Sequence, residues 1–298
     1  MARRKGSTML EQAIAKVSGF AELWHKMNRR MTLAGQSPST LVNYGRSLAQ
    51  MALHLEQDPT TVDEEEVQEY LYSLVKRKKF SESYFKFAVY ALRYAYKTVG
   101  VEQRLTELPE IRHQHKLPVV LSKQECRSLF SAPKLIKHRV LLAFVYSTGL
   151  RMNEARNLLI TDIDPHRMQV RVRQGKGMKD RYVVLSPLIL QGLRKYYKAC
   201  RPVKYLFNGN TQGEPLGDRS MQWILKSALK QTRIKKEVTM HTLRHSFATH
   251  LLEDGVDVVT IKEQLGHARI ETTMRYLHIA RVRKSEPHSP LDTLYRKS

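Results

Sequence analysis

Residues 109–119, Pro109-Glu-Ile-Arg-His-Gln-His-Lys-Leu-Pro-Val119, interrupt the apolar patterning of this 298-residue chain with two prolines and a run of polar and charged side chains. Each proline fixes its own backbone and pushes the preceding residue toward extended geometry, so the stretch reads as an extended linker. Single cores stop growing near this chain length. The break therefore predicts two domains, 1–108 before it and 120–298 after it. His113 and His115 have no third ligand nearby and read as solvated linker residues, not as a metal pair.

Upstream of the break the apolar spacing is helical throughout. Leu10, Ile14, Val17, Leu23, Trp24, Met27 and Met31 fall mostly on one stripe, which predicts a first helix over 9–31. Ser37-Pro38 supplies a cap and first turn for a helix carrying Leu41, Tyr44, Leu48, Met51 and Leu55. Asp63 and Glu66 open a third helix with Val67, Tyr70, Leu71 and Leu74 inward. Ser81 opens a fourth, which buries Phe85, Ala88, Leu92 and Tyr96 and stops at Gly100. The first domain is thus all helical.

Lys86, Arg93 and Lys97 fall near one another on the fourth helix, placed to meet a DNA backbone, although a charged helical face is most often simply solvated. The charge total favours the first reading. Lys and Arg number 51 against 28 Asp and Glu, a net +23 that exceeds any need of solubility and implies a polyanionic partner. No apolar run approaches the roughly 18 residues of a membrane-spanning helix, and no apolar signal core follows Met1-Ala-Arg-Arg-Lys-Gly6. A soluble protein of the cytoplasm is expected. Cys126 and Cys200 stand far apart without a second thiol near either, which excludes a disulfide framework or thiolate zinc site and leaves both as packing residues.

Downstream, Ser122-Lys-Gln-Glu125 is a capping box, and the apolar run 140–145 predicts a buried helix ending at Thr148-Gly149. Alternation over 168–173 and 181–185 marks two strands joined by a glycine-rich turn with Lys176 at its tip. Ser186-Pro187 and Asp218 open further helices, and 205–207 is a short third extended piece. The second domain is mixed α+β and mostly helical, so the chain as a whole is mainly α with a small β-sheet.

This domain also carries Arg151, Lys176, His241, Arg244, His267 and Tyr276. A phenol among fixed cations and imidazoles suits a phosphodiester. The tyrosine oxygen forms a covalent ester with phosphorus, arginines hold the charge that gathers on the equatorial oxygens, and no metal is required. Taken singly, blander readings compete: Tyr276 as an amphipathic core residue, Arg151 as a partner of Glu154. His241 and His245 share a helix face as zinc ligands do, but Thr242 stands where a metalloprotease needs Glu. None of these explains the ordered set.

Ser147-Thr-Gly-Leu-Arg-Met-Asn-Glu154, Gly175-Lys-Gly177, His241-Thr-Leu-Arg-His-Ser-Phe-Ala-Thr-His250, Leu265-Gly-His267 and Thr272-Thr-Met-Arg-Tyr276, in that order, resemble the tyrosine recombinases, the family of phage integrases and Xer-type recombinases. Ser37-Pro-Ser-Thr-Leu-Val-Asn-Tyr44 is similar to the family's SAM-like core-binding domain. The resemblance spans nearly the whole chain, with no departure at the six catalytic positions. It implies a core-binding and a catalytic domain clamped around double-stranded DNA, acting as a homotetramer on two paired sites, and it admits a second recombinase or accessory protein as partner.

The same resemblance implies the roles. Tyr276 attacks the scissile phosphate to leave a 3′-phosphotyrosyl link and a 5′-hydroxyl, while Arg151 and Arg244 hold the non-bridging oxygens. Lys176 is the general acid, with Lys179 in the same turn as its rival and as a DNA contact. His241 and His267 share the phosphate and the tyrosine proton, and Glu154 orders the arginine and histidine side chains. No metal or other cofactor and no ATP is implied, since the ester conserves the broken bond for a second 5′-hydroxyl. A type IB topoisomerase and a non-cleaving DNA-binding regulator are the alternatives. In the tail, 279–298, the spacing of Leu291, Leu294 and Tyr295 predicts a short amphipathic helix, docked on a neighbouring protomer as the resemblance implies, folded back on its own domain, or a frayed end.

Overall fold

The computed structural model describes residues 7–76, 81–111, 117–173 and 180–280. Lys176, Lys179, residues 112–116 of the 109–119 stretch and the tail beyond residue 280 lie outside the described residues. The chain divides into two compact units, Met1–Gln114 and His115–Ser298. Among the described residues, no helix is long and apolar enough to cross a membrane.

The described part of the first unit holds five α-helices: α1 (Met9–Lys16), α2 (Phe20–Leu33), α3 (Pro38–Leu55), α4 (Glu64–Lys76) and α5 (Glu82–Val99). The single helix expected over 9–31 is two. Val17 leaves the helix with extended backbone, and Gly19 takes the left-handed conformation at φ 77° before α2 begins. Glycine enters that region without a Cβ penalty, and the turn returns the next residues to the same face. Ala13, Phe20, Leu23, Met27 and Met31 are all buried, so the stripe survives the break that it conceals. Ser37 and Ser81 cap α3 and α5 by accepting the N–H groups of Thr40 and Tyr84, both at 3.2 Å. Gly100, at φ 82°, ends α5.

The second unit begins with α6 (Lys123–Ser131), whose capping box pairs Ser122 with Glu125, and α7 (Ile136–Thr148), which is buried along Val140, Leu141, Phe144 and Val145. A short helix α8 (Met152–Asn157) follows. The sheet has three antiparallel strands in the order β1 (Ile163–Asp164), β2 (Gln169–Val172), β3 (Arg181–Val184), with Val172 opposite Arg181. Sequence alternation missed β1, which is two residues long. It also started the next strand one residue early, because Met168 turns left-handed at φ 52° to bring β2 back beside β1. The 205–207 piece pairs through one bridge, Tyr205 with Leu159.

The unit closes with α9 (Pro187–Cys200), α10 (Asp218–Leu229), α11 (Met240–Glu253), α12 (Val258–Leu265) and α13 (Glu271–Met274). Cys126 is buried as expected, but Cys200 is exposed. The buried stripe Ile189, Leu193, Tyr196 points to position 200 next, yet α9 ends there with Arg201 left-handed at φ 44°, so no core remains to receive the thiol.

Gly149 is the joint that brings these helices together around the later site. It caps α7 at φ 61°, and a Cβ there would stand 2.5 Å from Phe247 Cδ1 on α11 and 2.9 Å from Leu265 Cδ2 at the end of α12. Gly149→Ala therefore combines left-handed strain with overpacking, each typically about 1–3 kcal/mol. The substitution is expected to cost about 2–4 kcal/mol and to lower the thermal unfolding midpoint by several degrees. A midpoint equal to wild type would contradict this packing.

Candidate active site

The site grows from the loop after Gly149. Arg151 occupies the N-cap position of α8, and Glu154, one turn on, reaches back to it: its Oε2 accepts the Arg151 backbone N–H at 2.8 Å and its Oε1 accepts Arg151 Nη1 at 2.8 Å. Arg181, the first residue of β3, grips the same carboxylate with both terminal nitrogens, Nη1 to Oε1 at 2.9 Å and Nη2 to Oε2 at 2.8 Å. Arg244 of α11 stands 3.9 Å from Oε2. Three guanidinium groups thus surround one carboxylate that is only 9% exposed. Desolvation alone would raise its pKa, but hydrogen bonding and charge from Arg181, then from Arg151, outweigh burial and hold it at about 2.

The arginines also share the C-terminal end of α12. Carbonyls in the last turn of a helix lack intrahelical donors and carry its negative end. Here Gln264 O accepts Arg181 Nε at 3.2 Å, Leu265 O accepts Arg244 Nη2 at 2.7 Å, and Gly266 O accepts Arg151 Nη2 at 3.2 Å. Arg244 completes the frame by donating Nη1 to Gly149 O at 2.8 Å. Gly266 is left-handed at φ 63°, and a Cβ there would meet Arg181 Nε at 3.0 Å, so this glycine serves both the turn and the close approach.

Beyond that frame lie the imidazoles and the phenol. Thr239 caps α11, whose residues His241, Arg244 and His245, three and four apart, lie on one face. His267 follows Gly266 directly; its Nδ1 is 2.8 Å from Thr273 Oγ1, and its ring stacks on that of Tyr276 with centroids 6.4 Å apart. Tyr276, just past α13, is 3% exposed and packs with Ala248, Leu252, Ile261 and Leu265. Its hydroxyl is 2.9 Å from His245 Nδ1. Arg151, His241, Arg244, His245, His267 and Tyr276 line one cleft of about 300 Å³.

Burial combined with neighbouring positive charge shapes every titration here. Burial, the charges of Arg244, Arg151 and Arg181, and the neighbouring His245 push His267 down to about 3. Burial, His241, Arg244 and Arg275 push His245 down to about 4, and His241 is lowered by burial, Arg244 and Arg151. All three imidazoles are neutral at pH 7, so the cleft's fixed cations are the guanidiniums. Burial raises the Tyr276 phenol, with Arg244, Arg275 and Arg151 opposing. A site of this kind can receive an anion and hold a phenol near it, but needs a local acceptor for the phenol's proton.

Five of the six residues singled out from sequence, Arg151, His241, Arg244, His267 and Tyr276, meet in the cleft, and the sixth, Lys176, lies outside the described residues together with Lys179. Sequence reasoning set His245 aside as a zinc candidate and missed Arg181. For His245 the signal was present, four residues after His241 and beside Arg244. For Arg181 nothing in strand alternation foretells a guanidinium turned onto a carboxylate from another segment. In the first unit, Lys86 pairs with Glu82 at 2.6 Å and Arg93 Nη2 donates to Pro109 O at 3.0 Å, while Lys97 is exposed. Arg93 and Lys97 line a cleft of about 580 Å³ with Tyr44, Tyr90 and Tyr94.

The chain matches known proteins over most of its length. The phage integrase family model matches residues 119–283, and that of the phage integrase N-terminal SAM-like domain matches residues 23–106. A putative integrase/recombinase of Sinorhizobium fredii is 38% identical over 92% of this chain and 90% of its own length. The tyrosine recombinase XerC of Lacticaseibacillus casei is 33% identical over 82% of this chain and 89% of its own. Among solved structures, a lambda integrase dimer bound to a core site shares the fold with a TM-score of 0.69 at 17% identity, covering 85% of this chain and 96% of the other. The Tn1549 transposon integrase in complex with circular intermediate DNA does so with a TM-score of 0.66 at 17% identity, covering 91% and 97%.

The Glu154 carboxylate makes the frame sensitive to acid. Its pKa in the folded chain, about 2, lies below the ordinary 4.5, so the stabilisation it contributes is complete above pH 4.5 and is lost as pH falls through 2. Glu154→Gln, which leaves buried guanidiniums without a counter-charge, is expected to cost about 3–5 kcal/mol at pH 7. Urea denaturation at a series of pH values should show the gap to wild type narrowing between pH 4.5 and 2. A gap independent of pH would show that the carboxylate's charge is not what holds the frame.

Proposed function

The chain belongs to the phage integrase family of tyrosine recombinases, and from that premise we propose how its own residues break and rejoin DNA. It is a site-specific recombinase, an enzyme of DNA strand cleavage and rejoining. The observation that carries the residue assignment is the meeting of the Tyr276 phenol, the Arg151 and Arg244 guanidiniums and three neutral imidazoles in one cleft.

A scissile phosphate entering the cleft finds Arg151 and Arg244 already fixed by Glu154 and the α12 carbonyls. Their remaining N–H groups bind the non-bridging oxygens, and since they need not reorganise they stabilise the charge that grows at phosphorus. The Tyr276 oxygen attacks, the bond from phosphorus to the 5′ oxygen breaks, and that oxygen takes a proton from Lys176, with Lys179 the rival donor in the same turn. His241 and His267, both neutral, donate to the phosphate without adding a further fixed charge. The 3′-phosphotyrosyl ester conserves the broken bond, so a 5′-hydroxyl from another strand attacks it and rejoins DNA without ATP.

The SAM-like match over 23–106 supports a core-binding role for the first unit, with Lys86, Arg93 and Lys97 toward the DNA backbone. Paired sites require several protomers, so a homotetramer on double-stranded DNA in the cytoplasm follows, with the 279–298 tail docked on a neighbour. The relatives at 33–38% identity are integrases and recombinases, which disfavours a relaxing topoisomerase or a non-cleaving regulator.

A nicked suicide duplex carrying the end sequence of the resident element, incubated without added metal, tests the assignment. Wild type is expected to form a covalent protein–DNA adduct, and Tyr276→Phe none. Arg151→Ala and Arg244→Ala should each slow adduct formation by about 10²–10³-fold or more. An adduct that persists in Tyr276→Phe would move the nucleophile elsewhere.

A further inference from the structure

We infer that His245 is the proton acceptor for the nucleophile: its Nδ1 takes the Tyr276 phenolic proton as the oxygen attacks phosphorus. This inference rests on Tyr276 being the nucleophile, as proposed above.

Three imidazoles line the cleft, and their geometry separates them. His245 Nδ1 lies 2.9 Å from the Tyr276 hydroxyl, within hydrogen-bond reach of the proton that must leave. The His267 ring lies 17° from parallel to the phenol ring with the centroids 6.4 Å apart, and its Nδ1 is engaged with Thr273 Oγ1. That nitrogen is committed to the threonine, whereas the Tyr276 hydroxyl has His245 Nδ1 as its partner. His241 meets His245, ring edge to face at 6.3 Å, one place further from the phenol.

The surroundings require such an acceptor. Tyr276 is 3% exposed and clusters with Ala248, Leu252, Ile261 and Leu265, so little of it meets bulk water. Burial first, and then the neighbouring His241, Arg244 and Arg275, keep His245 neutral at pH 7, its lone pair available. The arriving phosphodiester brings negative charge into the same cleft. It offsets the guanidiniums and raises the affinity of His245 for a proton at the moment of attack.

The step balances. The bond between the Tyr276 oxygen and phosphorus forms, the Tyr276 proton passes to His245 Nδ1, the bond to the 5′ oxygen breaks, and that oxygen is protonated by Lys176. In rejoining, the incoming 5′-hydroxyl gives its proton to the lysine, and His245 returns its own to the departing tyrosine oxygen. Placed four residues after His241 and next to Arg244 on a capped helix, His245 is held where both directions use it.

The test is single-turnover cleavage of the nicked suicide duplex by wild type, His245→Asn and His245→Gln. The Asn amide keeps a hydrogen-bonding group near the Nδ1 position but cannot accept a proton, and Gln is the second variant should Asn disturb α11. Cleavage is expected to slow by about 10²–10⁴-fold with DNA affinity and unfolding midpoint unchanged. The variant rate should climb about tenfold per pH unit as the phenol ionises unaided, while wild type stays nearly flat. A substrate with sulfur at the 5′ bridging position, a leaving group that needs no acid, should leave the defect in place. Wild-type cleavage by His245→Asn, a pH slope equal to wild type, or rescue by sulfur would each overturn the inference. If wild type forms no adduct, or Tyr276→Phe still forms one, it is the nucleophile assignment that has failed.

Discussion

One buried carboxylate organises the second unit. Glu154 binds the Arg151 backbone and both the Arg151 and Arg181 guanidiniums, with Arg244 at 3.9 Å, and so joins the loop after α7, the start of β3 and the middle of α11. Removing charges from water is costly, and a pair repays the cost only when the remaining hydrogen-bonding capacity is also met. Here the C-terminal carbonyls of α12 meet it. One negative group among three cations leaves the cleft with a positive excess built into its walls before any ligand arrives. That excess suits a phosphodiester anion and needs no side-chain search to form.

Burial, together with the same excess, decides how the other groups behave. Imidazoles that are buried, and crowded by guanidiniums as well, lose their protons, so histidines in this cleft act as neutral donors and acceptors, His267 at about 3 and His245 at about 4. The phenol is pulled both ways, upward by burial and downward by Arg244, Arg275 and Arg151. An enclosed tyrosine that remains protonated is protected from idle chemistry and depends on a neighbour for its activation. Fixed cations for the phosphate and a neutral base for the phenol thus arise from one electrostatic arrangement.

Much of this was legible in the residues. Caps and stops such as Ser37, Ser81, Gly100 and Gly149 act locally, over one helical turn, and so can be read from a few adjacent letters. The ordered motifs carrying Arg151, His241, Arg244, His267 and Tyr276 could be gathered because their chemistry has one common purpose. What escaped was tertiary. The Gly19 break hides in an unbroken apolar stripe, and Cys200 sits in the register of a buried face beyond the point where the core ends. Arg181 meets Glu154 across 27 positions, and His245 meets Tyr276 across 31. Neither distance has a local signature, and a histidine four residues from another invites a metal reading until the phenol is seen beside it.

The central claim is that the arginine frame is assembled before DNA binds. The most direct measurement is a pair of crystal structures of the Tyr276→Phe protein, one without DNA and one with a duplex phosphate in the cleft. Preassembly predicts that Arg151, Arg181 and Arg244 keep the same rotamers and their Glu154 and α12 carbonyl partners in both, with the phosphate received by N–H groups left over. If the guanidiniums point elsewhere without DNA, or abandon Glu154 to reach the phosphate, the frame is a product of binding and the claim is wrong.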